Sequence, residues 1–114
     1  MDMFNTQVLD KAIRRRCADR ENKRLAMLQK TTQALIDIQS RFECREAYIV
    51  GSLLVENRWC DTSDVDVALS GCSNHLLAVM KVLEDATGRD VDVIDLDIHS
   101  FAEQFRRHGI KIYG

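Results

Sequence analysis

The stretch "SDVDVAL" (residues 63–69) sets Asp64 and Asp66 two residues apart in a run that otherwise reads as a buried strand. Side chains of a strand alternate between its faces, so both carboxylates point to the same side. Like charges held that close repel, and strands disfavour Asp. The arrangement becomes favourable once a hard divalent cation lies between the two, and Mg2+ is commonly held by one or two carboxylates together with substrate phosphates. Upstream, "YIVGS" ends an apolar run at Gly51 and Ser52. Gly51 lets backbone approach a ligand closely. Ser52 offers a hydroxyl at the start of a short helix expected over "SLLVEN", where free amides and the helix dipole favour a phosphate.

A third carboxylate on a neighbouring strand would complete a two-metal phosphoryl-transfer site, holding the second ion and taking a proton from an acceptor hydroxyl. "RDVDVIDLD" (residues 89–97) supplies the candidates. Asp90 and Asp92 share one face with Ile94, while Asp95 and Asp97 fall on the other. Parity alone does not choose between the pairs. Asp92 is the most central to the apolar run and is the preferred third carboxylate; Asp95 is expected near the strand end, capping or solvated. The plain alternatives are a solvated strand terminus for Asp64 and Asp66, an edge charge for Asp92 and a simple N-cap for Ser52. Trp59, in the loop before the aspartates, is either a base-stacking ring or a packing anchor.

These residues need a scaffold, and the chain alternates helix and strand patterns. Residues 6–42 contain no Pro or Gly and read as one long helix with Thr6 as N-cap, although a break near Asn22 is compatible with the pattern. Leu25, Leu28, Leu35, Ile38 and Phe42 form its apolar face, and the stripe is thin over residues 14–24, which are expected to project. Strands are expected at residues 47–50, 65–70, 90–96 and 110–113. Helices are expected at 73–87, capped by Ser73 and ended by Gly88, and at 99–109, ended by Gly109. The fold class is therefore α/β (α+β), with a mixed sheet of about four strands covered by helices. The boundaries are a helical N-terminal extension, 1–44, and a catalytic core, 45–114, in one domain.

The 114 residues are 46% apolar and 30% charged with a net charge of −2, an ordinary globular composition too nearly neutral to steer nucleic acid or membrane. The basic run "KAIRRRCADRENKR" (residues 11–24) lacks interleaved aromatic residues and reads as a solvated helix face rather than a nucleic-acid footprint. No signal-peptide pattern or membrane-length apolar run is present, so a cytoplasmic protein is expected. Cys17, Cys44, Cys60 and Cys72 form no CxxC pair or zinc-type spacing. His75, His99 and His108 fall at helix ends, where surface or capping roles are expected.

In their order and spacing, "YIVGS", "SDVDVAL" and "VDVIDL", closed by "HGIKIYG", resemble the minimal nucleotidyltransferase family of the DNA polymerase β-like superfamily. The resemblance spans residues 46–114. It implies a nucleotidyltransferase fold and transfer of a nucleoside monophosphate, AMP being the leading choice, from a nucleoside triphosphate to an acceptor hydroxyl, with Mg2+ as cofactor. It implies Asp64, Asp66 and Asp92 as catalytic and metal-binding residues and Gly51, Ser52 and Ser63 as nucleotide-binding ones. It also implies a toxin–antitoxin setting with a HEPN-type helical partner, whose tyrosine would be the acceptor. The long N-terminal helix is expected to serve either for homodimerisation or for holding a separately encoded partner. The chain departs from the family where an Arg often follows Gly-Ser: here "GSLLVENR" places Leu53 and Leu54, with Arg58 the nearest following cation. That departure supports an alternative, a catalytically degenerate module that neutralises a partner by docking.

Overall fold

A computed structural model of the chain describes residues 6–56, 58–60 and 62–114, with side chains described from residue 8. Helix α1 runs unbroken from Thr6 to Phe42. Strand β1 spans Glu46–Val50, β2 Val65–Ser70 and β3 Val91–Asp95. Helix α2 spans Leu76–Thr87 and α3 Ala102–His108, and β4 closes the chain at Ile110–Tyr113. The mixed sheet has the order β3-β2-β1-β4. β1 is antiparallel to both β2 and β4, and β2 is parallel to β3. A parallel pair needs a long crossover, and α2 supplies it.

Alternation along the strands divides the apolar residues between two layers. Ala47, Ile49, Val65, Val67, Leu69 and Val91 face α1 and α2, which contribute Met27, Leu35, Ile38, Val79 and Leu83 to the larger core. Tyr48, Val50 and Ala68 belong to the opposite layer with Leu96, where Ile94, Ala102 and Phe105 pack against them. Each layer removes apolar surface from water, and the larger one ties α1 to the sheet.

Only the second half of α1 takes part. Leu28 and Phe42 pack on the core and Leu35 and Ile38 are buried, as their spacing predicts, but Leu25 is exposed. Residues 8–26 are exposed apart from the half-buried Glu21 and Arg24. A helix of 37 residues is about 55 Å long at 1.5 Å per residue, which accounts for a molecule measuring 66 × 27 × 19 Å. No break occurs at Asn22. The cap expected at Thr6 lies outside the described side chains.

Three expected helices are shorter than their sequence patterns, among them α3, which starts at Ala102 and ends at His108 where the pattern predicts residues 99–109. After β1 the chain makes a 3-10 turn, Gly51–Leu54, and Val55 is already extended at φ −102° and ψ 118°, so "SLLVEN" does not form an α-helix. Residues Ser73–His75 likewise form a 3-10 turn before α2 starts at Leu76. Ser73 does not cap α2; its hydroxyl donates to Asp97 Oδ2 at 3.3 Å.

Among the described residues, no helix is long and apolar enough to cross a membrane.

Candidate active site

The register of three strands builds one row. Val50 of β1 stands opposite Asp66 of β2, and Asp66 opposite Asp92 of β3. All three side chains share the face of the sheet that carries α3, because Tyr48, Ala68 and Ile94 form the next row inward on that face. The row lies where β1 ends and where β2 and β3 begin, beside the 3-10 turn. Asp64 precedes β2 with the same parity as Asp66 and is exposed. Asp92 is exposed, and Asp66 is partly buried between its neighbours.

This crowding perturbs Asp66. Burial, the negative charge of Asp92, a hydrogen bond to Asp92 and the charge of Asp64 together push its carboxyl up to about 6. Desolvation and like charges both disfavour an ionised carboxylate, so every cause acts in one direction. Gly51 packs on the same group: its φ is +78°, and a Cβ there would collide with the Asp66 carboxylate. Glycine is thus required at this turn by conformation and by space.

Asp66 and Asp92 offer hard oxygen donors whose mutual repulsion a divalent cation would relieve. No group of three or more His, Cys, Asp or Glu residues is gathered for a metal among the described residues. Mg2+ does not need one, since it is usually held by one or two carboxylates plus phosphate oxygens and water. The donor set fits that ion.

The remaining sequence candidates separate. Ser52 makes no hydrogen bond through its hydroxyl among the described residues, whereas its carbonyl accepts from the Val55 amide at 3.1 Å. Ser63 closes a turn: its Oγ accepts from the Cys60 amide at 3.0 Å and lies 3.3 Å from Cys60 Sγ. Asp90 is exposed, and its carbonyl accepts from the Val65 amide at 2.9 Å. Asp95 is buried at 8% exposure and accepts from the Asp97 amide at 3.0 Å, so it caps the turn after β3 rather than lying in solvent. Trp59 is a packing anchor, 1% exposed, with the Arg89 guanidinium 5.3 Å from its ring centre. Arg58 is exposed. The three histidines are all exposed.

Three features escaped sequence reasoning. Asp97 is a structural carboxylate, accepting from Ser70 Oγ and from the Gly71 amide, each at 2.8 Å, and held below its usual range first by the Gly71 bond and then by Ser70. Arg106 of α3 grips Glu46 of β1 through Nε at 3.1 Å and Nη2 at 3.0 Å and reaches Glu103 at 2.7 Å. The third is Cys60, exposed, with its thiol pulled down to about 7 first by the Ser63 hydroxyl and then by Thr62. Only Cys60 had a local signal, the hydroxyl residues two and three positions on.

No family model matches the chain, and no curated protein matches it. Among solved structures it is similar to one described as a toxin–antitoxin with AMP-PNP, at 21% identity and a TM-score of 0.61, covering 73% of this chain and 73% of that one. It is similar to the toxin–antitoxin MntA–HepT at 20% identity and a TM-score of 0.56, covering 75% of this chain and 72% of that one. A mutant of an MntA–HpeT toxin–antitoxin gives 19% identity and a TM-score of 0.59, covering 73% of this chain and 72% of that one. This chain shares the fold found in those structures.

Proposed function

We propose that this protein is a Mg2+-dependent nucleotidyltransferase that moves AMP from ATP to a hydroxyl of a partner protein, a tyrosine of a HEPN-type toxin. The observation that carries this reading is the row Asp66–Asp92 on adjacent strands with the Gly51 backbone packed on the Asp66 carboxylate. Structures of this fold include one with AMP-PNP and others of toxin–antitoxin pairs, which supports the choice of nucleotide and of partner.

Asp64, Asp66 and Asp92 are the residues that would hold Mg2+, which when bound supplies positive charge to the phosphate oxygens in the transition state. With its carboxyl titrating at about 6, Asp66 is mostly ionised at neutral pH and ready to act as a ligand. The open turn at Gly51 and the uncommitted Ser52 hydroxyl provide the phosphate contacts, and Ser63 holds the loop that leads into Asp64. The acceptor oxygen forms a bond to the α-phosphorus, the bridging bond to the β-phosphate breaks and pyrophosphate leaves. Asp92, the most open carboxylate on the strands, accepts the hydroxyl proton. The core for this chemistry is residues 45–114, and the exposed half of α1 is the surface offered to the partner or to a second copy.

Calorimetric titration of ATP with and without Mg2+, on wild type and on the Asp64→Asn/Asp66→Asn double variant, tests the site. Mg2+-dependent binding that vanishes in the variant is expected. A wild type that binds no nucleotide refutes the proposal.

A docking-only antitoxin is the second reading, and Leu53 favours it. The position after Gly-Ser, where the family often has Arg, is a fully buried Leu that contributes to the core and presents nothing to a phosphate. Turnover separates the two readings: intact-mass measurement of a co-expressed toxin detects added AMP only under the first.

A further inference from the structure

Beside the carboxylate row lies a cleft of about 270 Å3 lined by Val50, Gly51, Leu54, Gln104, Phe105, His108 and Gly109. Two of its walls belong to the row itself. Val50 is the register partner of Asp66, and Gly51 touches the Asp66 carboxylate. The cleft therefore opens on the face of the sheet that carries Asp66 and Asp92, between the end of β1 and α3.

Its walls are firmly held. Arg106, from the same short helix as Gln104, Phe105 and His108, is fixed to Glu46 of β1 by two hydrogen bonds. Phe105 is also met by the His99 ring, edge-on at 5.0 Å between ring centres. At the base, Gly109 brings the turn after α3 so close to β1 that a Cβ there would meet Val50 Cγ1 and the Phe105 carbonyl at 2.8 Å each. A pocket held in this way loses little freedom when a ligand enters.

We infer that this cleft receives the aromatic base of the bound nucleotide, with Phe105, Val50 and Leu54 supplying the apolar contact and Gln104 and His108 the hydrogen bonds to the base edge. The inference rests on the proposed nucleotide site and assigns the part of it that no carboxylate can serve. At about 270 Å3 the cleft is slightly smaller than the roughly 300–1,000 Å3 of pockets that enclose drug-sized ligands. It suits a flat heterocycle whose sugar and phosphates stay outside, toward Gly51 and the carboxylates. The lining joins apolar and ring surface to two side chains able to donate and accept, which matches a base and not a triphosphate.

The test compares two Mg2+-loaded probes, ATP and inorganic tripolyphosphate, on wild type and on Gln104→Trp. Gln104 is exposed, so an indole there fills the mouth of the cleft without entering the core. The expected result is that wild type binds ATP at least about tenfold more tightly than tripolyphosphate, as base stacking warrants. Gln104→Trp is expected to erase that difference and leave tripolyphosphate binding unchanged. His108→Ala, also at an exposed position, is expected to lower ATP affinity several-fold and leave tripolyphosphate binding unchanged, a second route that does not depend on the bulky replacement. Wild-type binding of ATP no tighter than of tripolyphosphate, or ATP binding unaltered in both variants, overturns the assignment while leaving the metal–phosphate site standing. A wild type that binds neither probe overturns the nucleotide site and the cleft assignment together.

Discussion

Replacing Asp66 with Asn should stabilise the metal-free protein. In the fold, burial and the charges of Asp92 and Asp64 lift the Asp66 carboxyl from 3.8 to about 6. At ~1.4 kcal/mol per pH unit this corresponds to ~3 kcal/mol for a fully shielded group, and solvent screening of a partly exposed site brings it to ~1–2 kcal/mol. The sign follows from proton binding. Between about pH 4 and 6 the folded chain keeps a proton on Asp66 that the unfolded chain releases, so stability falls as pH rises through this window. Above it the full cost is present, and below it the cost disappears. Asn carries no charge and can donate to Asp92, so Asp66→Asn should raise Tm by about 5 °C or more at pH 7.5 in chelator-containing buffer. The gap should narrow through pH 5 and close below pH 4. Thermal unfolding followed by circular dichroism at four or five pH values measures it. An unchanged or lowered Tm at pH 7.5, or a gap that persists undiminished well below pH 4, would refute the electrostatic account of this row.

Gly51→Ala combines a left-handed backbone with a collision against Asp66, so it should lower stability by about 1–3 kcal/mol, read as a drop in urea midpoint, and abolish ATP binding. Arg106→Ala should cost about 1 kcal/mol and speed hydrogen exchange in α3 and β1. Because the Arg106 hydrogen bond is the main cause that lowers Glu46, that penalty is present above the ordinary Glu range and shrinks as pH falls and Glu46 protonates. Cys60 should be alkylated by iodoacetamide at neutral pH well before the buried Cys44 and Cys72, and Ser63→Ala should slow it, as quantified by peptide mass spectrometry.

Local pattern and long-range register contributed differently to what could be read from the chain. Alternation placed Asp64 and Asp66 on one face, and period alone revealed the strands and α1. Which acid of residues 89–97 joins them depends on the β2–β3 register, a non-local fact, and parity left Asp92 and Asp95 to be separated by centrality; the register pairs Asp92 with Asp66. The helix expected over "SLLVEN" has adequate propensity, but Leu53 is drawn into the core after one turn and the chain leaves in an extended path at Val55. Leu25 belongs to the apolar stripe of α1 and is exposed because the sheet ends before the helix does. The Arg106–Glu46 contact joins residues 60 apart, and Asp97 reaches back 27 residues to Ser70, distances over which no local motif speaks.

The unequal burial of α1 has a thermodynamic consequence. Starting a helix is the unfavourable step, and extending one by a residue is nearly neutral. Packing of residues 27–42 against the sheet has already provided the start, so the outer half from Val8 onward only has to propagate. That half should zip and unzip one residue at a time, while the core should melt as a unit. Heating or mild denaturant should therefore shorten the helix from its outer end before any tertiary signal changes. A partner that grips it would meet a segment whose nucleation cost the fold has already met.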